Sequence, residues 1–198
     1  MAQGTSKGQR LTPAGRRVLD AASDLFYREG IHAVGVDALA AAAGVTKKTL
    51  YACFGSKDAL VASYLRERDQ RWRAFLTEGL AEHADSPRTA LAASFDVLQE
   101  WMDREDPRGC GFVNALAELP SPQHPGHAAV LEQKRWLLGF LTDLATAAGL
   151  TEPAALAETL LLLHEGAVVT RTTGSVPDAT RRARSVAETL VASAAGAE

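Results

Sequence analysis

Gly44 sits in the stretch that most restricts what this chain can fold into. From Asp37 to Asp58 the residues run DALAAAAGVTKKTLYACFGSKD. The first part, Asp37–Ala43, reads as a short helix built on Leu39 and several alanines. Gly44 stops it, because glycine takes the left-handed conformation that a helix C-terminus favours. Thr46 is a good N-cap for a second helix, Lys47–Phe54. That helix puts Leu50 and Phe54 on one side, four apart, and Lys47, Lys48, Thr49 and Tyr51 mostly elsewhere. Helix, glycine turn and capped helix with an outward basic and hydroxylic face form a helix-turn-helix, whose second helix enters the major groove of DNA. On this reading Lys47 and Lys48 reach guanine edges or phosphates, and Thr49 touches a base or a thymine methyl group.

The charge distribution agrees. The formal net charge is −3, yet residues 1–73 hold twelve Lys/Arg against seven Asp/Glu, and residues 74–198 hold nine against seventeen. A basic front and an acidic rear suit a protein that shows one end to a polyanion. The 198 residues, 46% hydrophobic, suffice for a small domain plus a larger one. No run approaches the roughly eighteen apolar residues of a membrane span. The polar N-terminus, MAQGTSKGQR, lacks a signal-peptide core, so a cytoplasmic protein with no membrane partner is expected. Two cysteines, Cys53 and Cys110, make no disulfide framework, in keeping with a reducing compartment.

Every other periodic segment is helical, and no hairpin signal occurs. Residues 1–10 read as a disordered arm with Lys7 and Arg10; such arms can reach phosphates or the minor groove, but the reading here is a frayed terminus. Thr12-Pro13 starts a helix to about Arg28, closed by Gly30. Ser56 caps a helix of about twenty-five residues that leaves the first domain and enters the second. On it Arg66, Arg68, Arg71 and Arg73 are expected to form a wet basic face. Further helices run from Ser86-Pro87 to Arg104, over Gly111–Leu119, from Gly126 to Ala148, from Glu152-Pro153 to about Thr173 and from Val176-Pro177-Asp178 to about Ala194. Asp106-Pro107-Arg108-Gly109 and the segment from Pro120 through SPQHPG are loops. The expectation is an all-α fold of about nine helices, with a DNA-binding domain over 1–57 and a second helical domain over 58–198.

The residues Phe26 and Gly30, then Ala43, Gly44, Val45, Thr46, Thr49, Tyr51, Phe54, Lys57 and Leu60, stand in the register of a known pattern. Over about fifty residues the chain resembles the TetR/AcrR family of transcriptional repressors. The resemblance implies that Tyr51 and Lys57 hold phosphates. The cap of the motif's first helix does so as well; that position is usually Ser or Thr in the family and is Gly35 here, with only a backbone N–H to offer. It also implies a pocket for a small, often hydrophobic effector among the large apolar residues of the middle helices, namely Phe95, Leu98, Trp101, Met102, Phe112, Trp136 and Phe140. Asn114 and His164 are polar groups on apolar helices that could orient such a ligand.

One helix with a few readers, each worth ~1–3 kcal/mol of discrimination, does not find a site in a genome alone, so a second copy is needed. The last two helices offer the seam. Leu160, Leu163, Ala167 and Thr170 lie on one, and Ala183, Val186, Ala187 and Leu190 on the other. The resemblance implies that these helices pair with their twins in a four-helix bundle. The resulting expectation is a homodimeric, effector-released repressor on a palindromic double-stranded operator, not an enzyme, with no cofactor. Cys110 begins a helix beside two arginines, surroundings that suit a reactive thiol, with a packed cysteine as the default reading. It therefore supports an alternative reading as a redox sensor or thiol-dependent enzyme, although no base stands at a recognisable spacing. His124-x-x-His127 lacks further clustered ligands, and no metal site is expected.

Overall fold

The computed structural model describes residues 11–105, 108–119 and 121–195. Among them are nine helices and no strand: α1 Pro13–Glu29, α2 Val36–Ala42, α3 Lys47–Phe54, α4 Lys57–His83, α5 Pro87–Arg104, α6 Gly111–Glu118, α7 Pro125–Ala147, α8 Pro153–Thr172 and α9 Ala179–Ala194. The arm expected over residues 1–10, the Asp106-Pro107 part of the turn and Pro120 lie outside the described residues. No described helix is long and apolar enough to cross a membrane.

Capping chemistry sets most of the starts. Thr12, Thr46 and Ser56 each accept a hydrogen bond from the backbone N–H three residues on, satisfying a donor that the first turn leaves open. Ser86 and Thr89 form a reciprocal capping box ahead of α5. His124 caps α7 through Nδ1, 3.0 Å from the Gly126 N–H. Its Nε2 stands 3.3 Å from Asp58, so this histidine has a structural task.

Two apolar clusters divide the molecule. In the first, Val18, Leu19, Ala22 and Phe26 of α1 close on Leu39, Leu50 and the first turns of α4, Leu60, Val61, Tyr64 and Leu65. Phe112, Ala115 and Leu119 of the α6 segment, and Ala129 and Val130 of α7, join the same cluster. The core of this N-terminal unit therefore draws on residues well beyond position 57. The second cluster fills the space between α4, α5, α7, α8 and α9, from Trp72 and Leu76 to Ala187 and Val191. Helix α4, 27 residues long, contributes to both and is their common beam. It comes close to α5 at Gly79, where an added Cβ would lie 2.9 Å from the Val97 methyls.

The arginines of α4 do not share one wet face. Arg66 and Arg71 are exposed, but Arg68 is buried. It falls on the stripe that also carries Val61, Tyr64, Leu65 and Trp72. Its guanidinium lies 4.4 Å over the Tyr27 ring and 5.7 Å from the Trp101 ring, and donates to the Glu105 carbonyl.

Candidate nucleic-acid interface and effector cavity

Helix α3 is fastened from one side and open on the other. Leu50 is fully buried and Phe54 packs beneath it at the cluster edge. Gly44, at φ +60°, makes the turn that brings α3 across α2. Thr46, Lys47, Lys48 and Tyr51 stand exposed, with Thr46 and Thr49 hydroxyls 2.9 Å apart.

The four cationic and phenolic groups differ in readiness. Lys47 is held 2.7 Å from Asp37 on the first turn of α2. The Asp37 hydrogen bond and charge raise its pKa, so it stays an ammonium. Lys48 carries no such ion pair among the described residues. Tyr51 is 45% exposed. Lys57 is half-buried: its ammonium donates to the Ile31 carbonyl at 2.6 Å and lies 5.9 Å from the Phe26 ring. It thus ties the start of α4 to the end of α1. Gly35 is the N-cap of α2 without a side-chain hydrogen bond, and its Cβ position is open space.

Behind the head lies a small cavity of ≈ 30 Å³ between α4, α5, α6, α7 and α8. Five residues singled out in the sequence meet there: Leu98, Trp101, Cys110, Phe112 and His164. Five do not. Phe95 and Met102 are buried in the core, Phe95 standing behind the His164 ring at 6.3 Å. Asn114 is exposed and bonds the Arg108 carbonyl. Trp136 and Phe140 stack on each other, 5.2 Å apart, half-buried, with Arg73 over Trp136.

The wall also holds residues that sequence reasoning passed over: Trp72, Gln133, Lys134, Glu165 and Val168. A signal for two of them exists. Val130, Gln133, Lys134, Leu137 and Leu141 follow one helical stripe, so the polar pair interrupts a run that otherwise faces the core. Lys134 bonds Glu165 at 2.6 Å and approaches the Cys110 sulfur at 3.6 Å. Burial alone would raise the Glu165 pKa; the Lys134 ammonium paired with it instead holds it below the usual carboxylate range. His164 sits between the Trp72 and Phe95 rings. Its Nδ1, 3.8 Å from Glu165, is beyond hydrogen-bond reach.

Burial pushes the His164 pKa below its ordinary 6.5, against the raising pull of Glu165 and with the lowering push of Lys134. The sign follows from linkage. The unfolded chain takes up this proton first, so acid below pH 6.5 destabilises the fold, by up to about 1.4 kcal/mol per pH unit. Glu165 acts lower, losing its contribution as pH falls below 4.5. Urea unfolding is therefore expected to show the parent losing stability from pH 7 to 5 faster than His164→Gln, so that the difference between them changes with pH. A constant difference over that window would contradict a buried neutral imidazole.

The cavity is wired to the head. The Tyr27 hydroxyl donates to the Gly109 carbonyl at 3.0 Å and accepts from the Arg108 N–H at 2.9 Å. The Arg108 guanidinium donates to the Tyr27 carbonyl at 3.0 Å and to the Arg28 carbonyl. Glu118 accepts from the His32 N–H at 2.7 Å. The C-terminal end of α1 is thus latched to the segment that carries Cys110.

The last two helices show which of their faces is free. Leu160, Ala167, Ala183 and Ala187 are buried in the chain's own core; Leu163, Thr170 and Leu190 are half-buried and Val186 is exposed. On α8 an unpartnered stripe runs through Ala155, Thr159, Leu162, Gly166 and Val169, all exposed. Leu162 is 74% exposed.

Comparison with known proteins bears on this arrangement. Residues 18–64 match the family model described as bacterial regulatory proteins, tetR family. A solved TetR-family transcriptional regulator from Streptomyces coelicolor is 31% identical, with a TM-score of 0.83 over 94% of this chain and 98% of that one. The HTH-type transcriptional regulator YjdC of Escherichia coli is 25% identical, over 85% of this chain and 91% of that protein. The HTH-type transcriptional activator FasR of Mycolicibacterium smegmatis is 35% identical over 50% of this chain and 47% of its own length.

Proposed function

The chain belongs to the TetR family of DNA-binding transcriptional regulators, and from that premise we propose that it is a cytoplasmic repressor, homodimeric on a palindromic operator and released by a small effector. In this reading residues 1–57 read DNA, and residues 58–198 hold the effector and the dimer seam. The observation that carries it is the outward side of α3. A short helix capped by Thr46 and pinned by Leu50 presents Lys47, Lys48 and Tyr51 to solvent. Such a helix is sized for a major groove, and its exposed hydroxyls and ammonium groups suit base edges and phosphates.

The remaining assignments follow from chemistry. Thr46, Thr49 and Lys48 are the readers. Tyr51 and the Gly35 N–H are phosphate contacts. Lys47 joins them when it leaves Asp37, and Lys57 when it leaves the Ile31 carbonyl. The exposed stripe of α8 and its neighbour Val186 form the seam. Small residues along it, Ala155 and Gly166, let a second helix approach closely, and a two-fold axis there sets two copies of α3 on one face of a duplex. The latch from Arg108 to Tyr27 lets an occupied cavity tilt α1 and so change the spacing of the two heads.

Gel shifts on the promoter regions flanking the protein's own gene test the reading. The expected result is binding there at least about 1,000-fold tighter than to unrelated duplex, paired with lower transcription when the protein is present. Equal affinity for every duplex would defeat the reading; higher transcription would make the protein an activator, the role named for FasR.

A further inference from the structure

We propose that Cys110 is the acceptor for a small carbon electrophile, an α,β-unsaturated carbonyl compound, and that the adduct undoes the latch holding the DNA-reading head. This rests on the regulatory reading above and names the chemistry of its signal.

The sulfur is placed for attack. Cys110 is half-buried at the start of α6 and makes no side-chain cap there. Its Sγ accepts from the Lys134 ammonium at 3.6 Å. An ammonium in that position stabilises the charge that develops as the thiol gives up its proton to attack. Lys134 keeps its own charge. Burial pulls its pKa down, but Cys110 and Glu165 outweigh burial and leave it raised.

A second observation points to a ligand at this place. Gln133 is 3% exposed, and its Oε1 has no hydrogen-bond partner among the described residues. His164 is 8% exposed, with both ring nitrogens in the same condition. Both line the cavity that Cys110 lines. A buried polar group left unbonded costs about 1–3 kcal/mol, so a molecule that bonds these groups gains affinity at once. The imidazole N–H and the Lys134 ammonium are donors for a carbonyl oxygen, and the walls, Trp72, Trp101 and Phe112, suit a carbon skeleton.

Size and thiol count narrow the class. The cavity of ≈ 30 Å³ shares Cys110, Glu165 and Val168 with a neighbouring cleft of ≈ 170 Å³ that Val113, Val169 and Thr172 also line, so the visitor is small. The other cysteine, Cys53, lies on α3 against Thr12 and lines neither space. An oxidant would find no second thiol there to close a disulfide, whereas a carbon electrophile needs one sulfur only. In the addition, Sγ bonds the β-carbon and the C=C π pair moves to the α-carbon through the enolate. The thiol proton, relayed by Lys134 or water, ends on that carbon. Nothing is oxidised or reduced.

The adduct has a route to the head. Gly109 and Gly111 flank Cys110, and neither leaves slack. A Cβ on Gly109 would meet Thr172 at 2.9 Å, and one on Gly111 would meet Arg68 at 2.7 Å. Added atoms at Sγ therefore displace Lys134 or shift the 108–111 segment, which carries the bonds to Tyr27 and Arg28.

N-ethylmaleimide on the full-length chain, with both cysteine peptides followed by mass spectrometry, tests this. Cys110 in the parent should label about tenfold faster than in Lys134→Met, and Lys134→Arg should recover most of that rate. The parent's affinity for its selected duplex should fall about tenfold or more on labelling, and the Cys110→Ser chain should lose this response. An unchanged rate in a folded Lys134→Met, or an undiminished response in Cys110→Ser, overturns the proposal. Stronger release by hydrogen peroxide than by maleimide overturns the electrophile class. The labelling ratio reads the thiol site even if the untreated chain selects no duplex, so a failure of the regulatory reading is told apart from a failure of this one.

Discussion

Replacing Lys48 and Tyr51 together by alanine is expected to weaken operator binding by about a thousandfold without disturbing the fold. Both side chains are exposed on α3, away from Leu50, which fastens that helix. Exposed substitutions of this kind shift stability by no more than about 0.5 kcal/mol. Each removes a contact worth about 1 kcal/mol, and two heads on one operator double the loss, giving about 4 kcal/mol, or about three decades of affinity. Losing one ammonium per head should also flatten the salt dependence by about two phosphates' worth. Fluorescence anisotropy against salt, with a urea melt as control, reads both. A loss under threefold would move the interface off this face of α3.

The second large effect is expected at the seam. Leu162→Glu with Val169→Glu places four carboxylates where two copies of α8 would meet. Both residues are exposed in the single chain, at 74% and 53%, so its own stability has little to lose. The apolar contact forfeited and the charges desolvated should cost the dimer on the order of 5 kcal/mol, three to four decades. Sedimentation should show a 21.0 kDa species, and operator affinity should drop to that of one half-site. A variant that remains dimeric would place the seam elsewhere. Leu160→Glu is no substitute, because Leu160 is fully buried and its loss would unfold the chain.

The head was legible because its signals are local. Thr46, Gly44 and the Leu50/Phe54 spacing act within a few residues, and α3 has the bounds that they predict, Lys47–Phe54. Serine and proline starts likewise found the rear helices to within a few residues. What local pattern does not carry is which side of an apolar helix meets its own chain. Leu160, Leu161, Leu162 and Leu163 are consecutive, and periodicity cannot tell the buried first from the exposed third; only the packing of α5, α7 and α9 decides. The cavity shows the same limit. Aromatic spacing pointed to Trp136 and Phe140, which stack with each other at the surface of α7. The charged Lys134 and Glu165 line the cavity because two helices distant in sequence bring them within 2.6 Å. Arg68 is buried where its position on α4 suggests a wet face, for the same reason: the ring that covers it, Tyr27, belongs to α1.

Selection of binding sites from a pool of random duplexes, at about 150 mM salt to suppress phosphate-only binding, reaches the centre of the account. A pair of α3 helices related by a two-fold axis predicts an enriched inverted repeat, its half-sites about 34–36 Å or a multiple of that apart. A pool that stays random, or one that yields a single unrepeated half-site, would contradict it.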